Sequence, residues 1–193
     1  NPPPPPPAMA GSGPNGKWGA SIVTDSDIVN LKEADYLSAD IAHRAPEEVQ
    51  IIPTPQQGER VIFLPYFLRG LGFPMHPFVR GLMFFYGLDF HDLAPNSLLH
   101  ISASIIFYEA FLQVRPYFGL WLKVFNVKPK VVSGEQADCG GVMISKLTRV
   151  PWPEGKFIDT VKVWQKELFY ITEPRDAGWG SGSRIQVWTP LPD

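Results

Sequence analysis

Three helix-like units follow one another between residues 59 and 130, and this stretch constrains the fold more than any other part of the chain. The units read FLPYFLRGLGFPMHPFVRGLMFFYGL, LAPNSLLHISASIIFYEAFL and PYFGLWLKVFNVKPK. Aromatic and aliphatic residues fill them, and proline and glycine punctuate them, which is the pattern of a helical core interrupted by turns. No set of side chains in this stretch names a reaction.

Apolar spacing and capping residues predict about four to five helices. They cover residues 25–37, with Thr24 or Ser26 as N-cap; 66–71; a segment from the prolines at 74 and 77 to Gly87; 97–114, capped by Asp92 or Asn96; and 117–125. In the helix over 97–114, one apolar stripe contains Leu112 and another contains Phe107, Phe111 and Val114. A helix that is apolar on nearly every side is expected in the middle of a bundle.

After Pro129 the sequence pattern becomes typical of β-strands. Residues 130–133, 141–147 and 161–172 are rich in β-branched and aromatic residues between glycine and proline turns, and they predict a small antiparallel sheet. Residues 164–170 could instead be helical, and residues 61–64 could be a short strand or enter a helix directly. The predicted fold class is α+β, with a helix-rich core followed by a small antiparallel sheet.

The length of 193 residues suits one folded domain. Residues 1–17 form a low-complexity leader rich in proline and glycine, which we expect to be disordered or extended. The domain is predicted over 18–179 and a flexible tail over 180–193. Cys139 is the only cysteine, so the chain cannot form an internal disulfide. A lone thiol favours an intracellular, reducing compartment and does not distinguish nucleus from cytoplasm.

Charge is nearly balanced, with 17 basic and 19 acidic side chains and a net charge of −2. Residues 58–150 are mildly basic, with nine basic and six acidic side chains. This excess is far smaller than the basic stripe of a protein that neutralises many phosphates. The candidates for nucleic-acid or partner contact are Arg69, Arg80, Lys123, Lys128 and Lys130. For the arginines we favour helix capping or ion pairing, and for the lysines a solvated helix end.

Three long motifs carry a family resemblance. ERVIFLPYFLRGLGFPMHPFVRGL, YGLDFHDLAPNSLLHI and YEAFL resemble the plant family labelled "putative gypsy-type transposon" or "transposase (putative) gypsy-type". The likeness extends over about residues 18–179. The chain departs from the family at Tyr108, where a cysteine is common, and at Leu168, where a tryptophan is common. The family is a transposable-element relic of unassigned biochemistry, so the resemblance implies an origin and no catalytic residue.

A transposase of the retroviral-integrase type needs three carboxylates that hold two metal ions about 4 Å apart. Asp89, Asp92 and Glu109 are sufficient in number, but the two aspartates flank a helix junction and are more typical of a capping pair. The histidines lack metal-binding spacing, and no phosphate-binding glycine loop is present. We therefore predict no catalytic site, no metal, no cofactor and no small-molecule substrate.

The leading hypothesis is a non-catalytic module, derived from a transposable element, that associates with a protein partner or with itself. The alternative is a nucleic-acid-binding domain of a mobile-element protein. A third interpretation, a metal-dependent transposase, is supported only by the label of the family that the chain resembles. Four tryptophans in the less apolar C-terminal part are candidates for an interface: Trp152, Trp164, Trp179 and Trp188. No membrane span is expected, because the most apolar window, 97–114, contains His100, Glu109 and Gln113.

Overall fold

The computed structural model describes residues 16–47, 50–132, 134–152, 161 and 163–172. These residues form five α-helices: α1 (Asp25–Glu33), α2 (Leu64–Phe67), α3 (Pro77–Tyr86), α4 (Pro95–Ile106) and α5 (Phe118–Val124). They also form seven strands: β1 (Ala42–Arg44), β2 (Glu59–Phe63), β3 (Phe125–Pro129), β4 (Val131–Val132), β5 (Glu135–Gln136), β6 (Val142–Lys146) and β7 (Leu168–Thr172). Short 3-10 turns lie at Phe90–Asp92 and Trp164–Lys166. The predicted α+β class is confirmed. Among these helices, none has the length and apolar character needed to cross a bilayer.

The strands are distributed among three small antiparallel sheets. The largest has the order β1-β7-β2, whereas β3 pairs with β6 and β4 pairs with β5. The prediction that the C-terminal strands join one another was therefore wrong for β7, which lies between two strands from the N-terminal half. Leu168 to Ile171 are all buried, so both faces of this central strand are covered, which agrees with its continuous apolar sequence.

Aromatic rings form much of the core and join elements that are distant in sequence. Trp121 of α5 stacks on Phe125 of β3 with ring centroids 4.4 Å apart. It also meets Phe78 of α3 edge-on at 5.9 Å. Phe63 of β2 contacts the edge of Trp164 at 4.6 Å. These contacts pack α3 and α5 against the β3–β6 pair and the turn Trp164–Lys166 against β2, in the offset and edge-to-face geometries that ring pairs favour.

Proline and capping side chains place the helix starts. Thr24 is the N-cap of α1 and shares a reciprocal capping box with Asp27. The prediction that Asp92 or Asn96 caps the fourth helix was wrong. Ala94 is the N-cap there and makes no side-chain hydrogen bond. The reason is Pro95, which lacks an N–H and has a φ suited to the first helical position, so α4 starts one residue before Asn96.

An ion pair clamps the two outer strands of the largest sheet across β7. Arg44 donates through Nε to Glu59 Oε1 at 2.9 Å and through Nη2 to Oε2 at 2.6 Å. The guanidinium also lies 4.1 Å from the ring centroid of Tyr170, on the strand between them. Hydrogen bonding from Arg44 lowers the pKa of the Glu59 carboxyl. An arginine that donates two parallel hydrogen bonds to one carboxylate forms a stronger ion pair than one that makes a single contact.

This clamp predicts an acid-sensitive contribution to stability. Because the folded pKa of Glu59 lies below its unfolded value, the contribution is present above about pH 4.3 and is lost as pH falls through the folded pKa. We expect Glu59→Gln to unfold at lower urea than the parent at pH 7, and the difference to shrink toward pH 3. Burial raises the pKa values of Asp92 and Glu167, whose contributions have the opposite sign. The variant-minus-parent difference cancels them. A difference that is constant with pH would contradict the prediction.

Candidate protein-association surface

The inward face of α4 is well buried and follows helical spacing. Leu98, Ile101 and Ser104 are buried, and one turn further Tyr108 has no exposed surface. Side chains three or four residues apart lie on the same face of a helix, so these four form one stripe against the core. Tyr108 is the last residue of this stripe.

The helix then widens and ends. Phe107–Phe111 form a π-helical turn, in which the N–H of Leu112 donates to the carbonyl of Phe107 at 3.1 Å. The N–H of Val114 donates to the carbonyl of Tyr108 at 3.0 Å, and Gln113 has a φ of 55°. A left-handed residue followed by this long-range bond is the usual way in which a helix stops. After Tyr108 the helical spacing therefore no longer directs side chains toward the core.

A continuous exposed segment results. Every residue from 109 to 115 is exposed, and Phe111 retains 74% of its surface. We define the apolar patch as the five exposed apolar residues of this region: Ile106, Ala110, Phe111, Leu112 and Val114. Single exposed apolar side chains are ordinary, but a contiguous group marks an interaction surface in a soluble protein.

The sequence prediction for this segment was wrong. Leu112, Phe111 and Val114 were expected on buried stripes of a central helix, yet all three are exposed. The π-helical turn is the reason, because its wider spacing breaks the three- and four-residue periodicity on which the stripes were drawn. No feature of the sequence pattern marks such a turn.

Glu109, at the edge of the apolar patch, is hydrogen-bonded to His76 at the start of α3. His76 caps α3, since its Nδ1 accepts the N–H of Phe78 at 3.1 Å. Its Nε2 lies 3.1 Å from Glu109 Oε1. Because Nδ1 accepts, we assign the proton to Nε2, which donates to the carboxylate. The ring of Phe107 packs between the patch and Trp152: its centroid lies 6.3 Å from that of Phe111 and 4.8 Å from that of Trp152.

The carboxylates considered for catalysis have structural partners. The side chain of Asp92 accepts the N–H of Asp89 at 2.8 Å in a capping box around the turn Phe90–Asp92. Arg60 forms an ion pair with Asp89 at 3.2 Å, and Glu109 is held by His76. Within the part of the chain that the structure describes, no three His, Cys, Asp or Glu side chains are placed to hold a metal ion. The preferred capping interpretation of Asp89 and Asp92 is confirmed.

The predicted basic contact residues are scattered over different elements. Arg69 is only 5% exposed, so a phosphate contact would require its side chain to move. Arg80 on α3 and Lys130 after β3 are half-buried, whereas Lys123 on α5 and Lys128 on β3 are exposed. On the β3–β6 pair, Lys128 lies opposite Met143. The neighbouring pair on that face is Asn126 and Ser145, so these strands carry no row of basic side chains.

Two of the four tryptophans, Trp152 and Trp164, are poorer interface candidates than the sequence suggested. Trp164 is buried, and Trp152 is partly buried against Phe107 and Phe125. Trp179 and Trp188 lie outside the described residues. For Trp152 and Trp164, a position late in the chain was a weak signal, because a bulky ring there can still pack onto the rest of the fold.

Cys139 is buried, as expected for a small residue in a glycine turn, and its Sγ lies 3.6 Å from the carbonyl oxygen of Gly16. Burial raises the pKa of the thiol to about 12. At pH 8 a thiol of ordinary pKa, about 8.5, is roughly one-quarter thiolate, and one near 12 is about a thousandfold less ionised. We expect labelling by a disulfide reagent to be at least a hundredfold slower in buffer than in denaturant. Equal rates would contradict this prediction.

The geometry therefore defines an α+β fold with an exposed apolar patch, in which the three carboxylates considered for catalysis have structural partners. Residues 61–129 match the family described as "Putative gypsy type transposon". This match supports a gypsy-type transposon-related domain, and the matched segment begins within β2, ends with β3 and contains the whole apolar patch. No curated protein and no solved structure matches the chain.

Proposed function

We propose that this chain is a non-catalytic assembly module, derived from a transposable element, that acts by protein association over a domain spanning residues 18–179. The observation that carries the proposal is the apolar patch. Elsewhere in the matched segment, large apolar residues such as Tyr66, Phe67, Phe78 and Trp121 are buried, and the exposed ones, Leu68, Phe84, Tyr117 and Leu122, do not form a run along the chain like the one at 110–114. A contiguous group of exposed apolar residues beside such a core is suited to contact another protein.

Energetics support this role. Burying a large apolar side chain such as Phe111 stabilises a complex by about 1.5–3 kcal/mol relative to leaving it in water. The patch contains no charge between Glu109 and Arg115. An uncharged centre with a polar rim is the usual composition of a protein–protein interface. Covering this patch is therefore favourable and requires no buried charge.

Photo-crosslinking tests the proposal in cells. A photoreactive amino acid replaces Phe111 in one variant and Ile22 in a control, since Ile22 is 66% exposed and lies at the other end of the described chain. We expect protein adducts from position 111 at least tenfold above position 22. Absence of protein adducts at 111, or adducts to nucleic acid alone, would overturn the proposal.

The alternative function is nucleic-acid binding, supported by the exposure of Lys123 and Lys128 within the mildly basic segment. A duplex titration between about 20 and 200 mM salt tests it, because each phosphate contact adds about one unit to the salt slope. If the alternative holds, Lys123→Gln and Lys128→Gln should each flatten the slope. Lys32→Gln is a suitable control, since that lysine donates to the carbonyls of Ala39 and Ile41.

A further inference from the structure

We propose that the occupant of the apolar patch is a second copy of this chain, packed patch against patch about a two-fold axis. This inference rests on the proposed function of protein association and adds the identity and geometry of the partner. A two-fold interface uses the same surface twice, so that surface must be complementary to itself. The patch meets this requirement in both its apolar centre and its charged ends.

The charges at the two ends of the segment are opposite. Glu109 precedes the apolar residues and Arg115 follows them, and both are exposed. When two such segments pack antiparallel across a two-fold axis, Glu109 of one copy faces Arg115 of the other, and the pair occurs twice. A partner of uniform charge would instead meet one like charge at the rim, which opposes association.

The patch is also held in one conformation before it meets a partner. Tyr108 is buried in the core immediately before the exposed segment, and His76 holds Glu109 at the rim. The π-helical turn is an infrequent backbone state, and such turns are often found at functional sites. A preformed surface loses less conformational entropy on binding.

The size of the patch sets the expected strength. Five side chains fall short of the roughly 800 Å² per partner of a standard stable interface. We therefore expect a reversible dimer with a dissociation constant in the micromolar range, about 1–50 µM, as small interfaces of this kind show. The monomer and dimer should both be visible over an accessible concentration range.

Sedimentation velocity on the full chain, from about 1 to 200 µM, tests the inference over the range set by that constant. We expect the weight-average mass to rise from monomer toward dimer. Phe111→Gln and Leu112→Gln should each raise the dissociation constant at least tenfold. The matched control, Ile22→Gln, should leave it unchanged. Far-UV circular dichroism of each variant verifies that the fold is retained, since the replaced side chains are exposed.

Charge reversal tests the two-fold geometry itself. Glu109→Arg alone and Arg115→Glu alone should each weaken the dimer, because like charges then face each other. The double reversal should recover at least half of the lost affinity on a logarithmic scale. A double variant as weak as the worse single variant would overturn the antiparallel arrangement.

The remaining outcomes separate the inference from the function on which it rests. A wild-type chain that stays monomeric at the highest concentration overturns the second copy as occupant. If position 111 still crosslinks to other proteins in that case, protein association stands and only the partner is wrong. A dimer that is indifferent to Phe111→Gln overturns the patch as its interface.

Discussion

Trp121→Ala is expected to lower the free energy of unfolding by about 3–5 kcal/mol, the usual cost of deleting a buried aromatic side chain. Trp121 has no exposed surface and packs against Phe78 and Phe125, so its removal leaves a cavity where α5, α3 and β3 meet. Domains of this size are stable by about 5–15 kcal/mol, so the loss is a large fraction of the total. Urea unfolding followed by far-UV circular dichroism measures it.

The adjacent residue provides the control. Leu122 is on the same helix but 47% exposed, so Leu122→Ala should change the free energy of unfolding by about 0.5 kcal/mol or less, as surface substitutions generally do. Both variants place alanine in α5, so helix propensity favours each of them. Similar losses for the two variants would show that Trp121 is not a core residue.

Local chemistry made part of this fold predictable. The prolines at 74 and 77 were expected to start the third helix and Gly87 to end it, and α3 starts at the second of these prolines, with Gly87 in the left-handed conformation as its C-cap. The predicted strand over 141–147 corresponds to β6. These features depend on residues whose backbone preferences are strong and local, and single-sequence patterns report such preferences well.

Long-range pairing was not predictable in the same way. β1 is three residues long, and its existence depends on β7, more than 120 residues away in the chain. Its sequence AHR has no alternation long enough to mark a strand. β3 was hidden for another reason, since its residues continue directly from α5 with no intervening turn. Tertiary pairing decides such segments, and local propensity does not.

The candidate surface shows the same limit. The sequence marked residues 97–114 as the most apolar stretch and assigned it to the interior by composition. Burial depends on the path of the backbone after Tyr108, which the π-helical turn redirects. An apolar residue is compatible with a core and with an interface, because both remove it from water. Only the geometry separates Leu98, which is buried, from Leu112, which is exposed.

Gly140→Ala is the other substitution for which we expect a large loss, about 2–4 kcal/mol, because a backbone penalty and a steric penalty add. Gly140 has a φ of +64°, and an added Cβ would lie 2.7 Å from a ring atom of Trp164. That ring packs against Phe63 and Tyr66, so moving it aside would disturb the core. The N–H of Gly140 also donates to the carbonyl of His91 at 2.7 Å, which fixes the loop.

A second glycine separates the two penalties. Gly134 has a φ of +86° with no atom within 4 Å of an added Cβ, so Gly134→Ala should show the backbone penalty alone, about 1–2 kcal/mol. Gly72 has neither a positive φ nor a close neighbour, so Gly72→Ala should be nearly neutral or slightly stabilising, since alanine restricts the unfolded chain. We expect the free energy of unfolding to fall from Gly72→Ala, the most stable variant, through Gly134→Ala to Gly140→Ala, the least stable. If Gly134→Ala and Gly140→Ala were equally stable, the Trp164 ring would be free to yield, and the close packing of the 3-10 turn against this loop would be excluded.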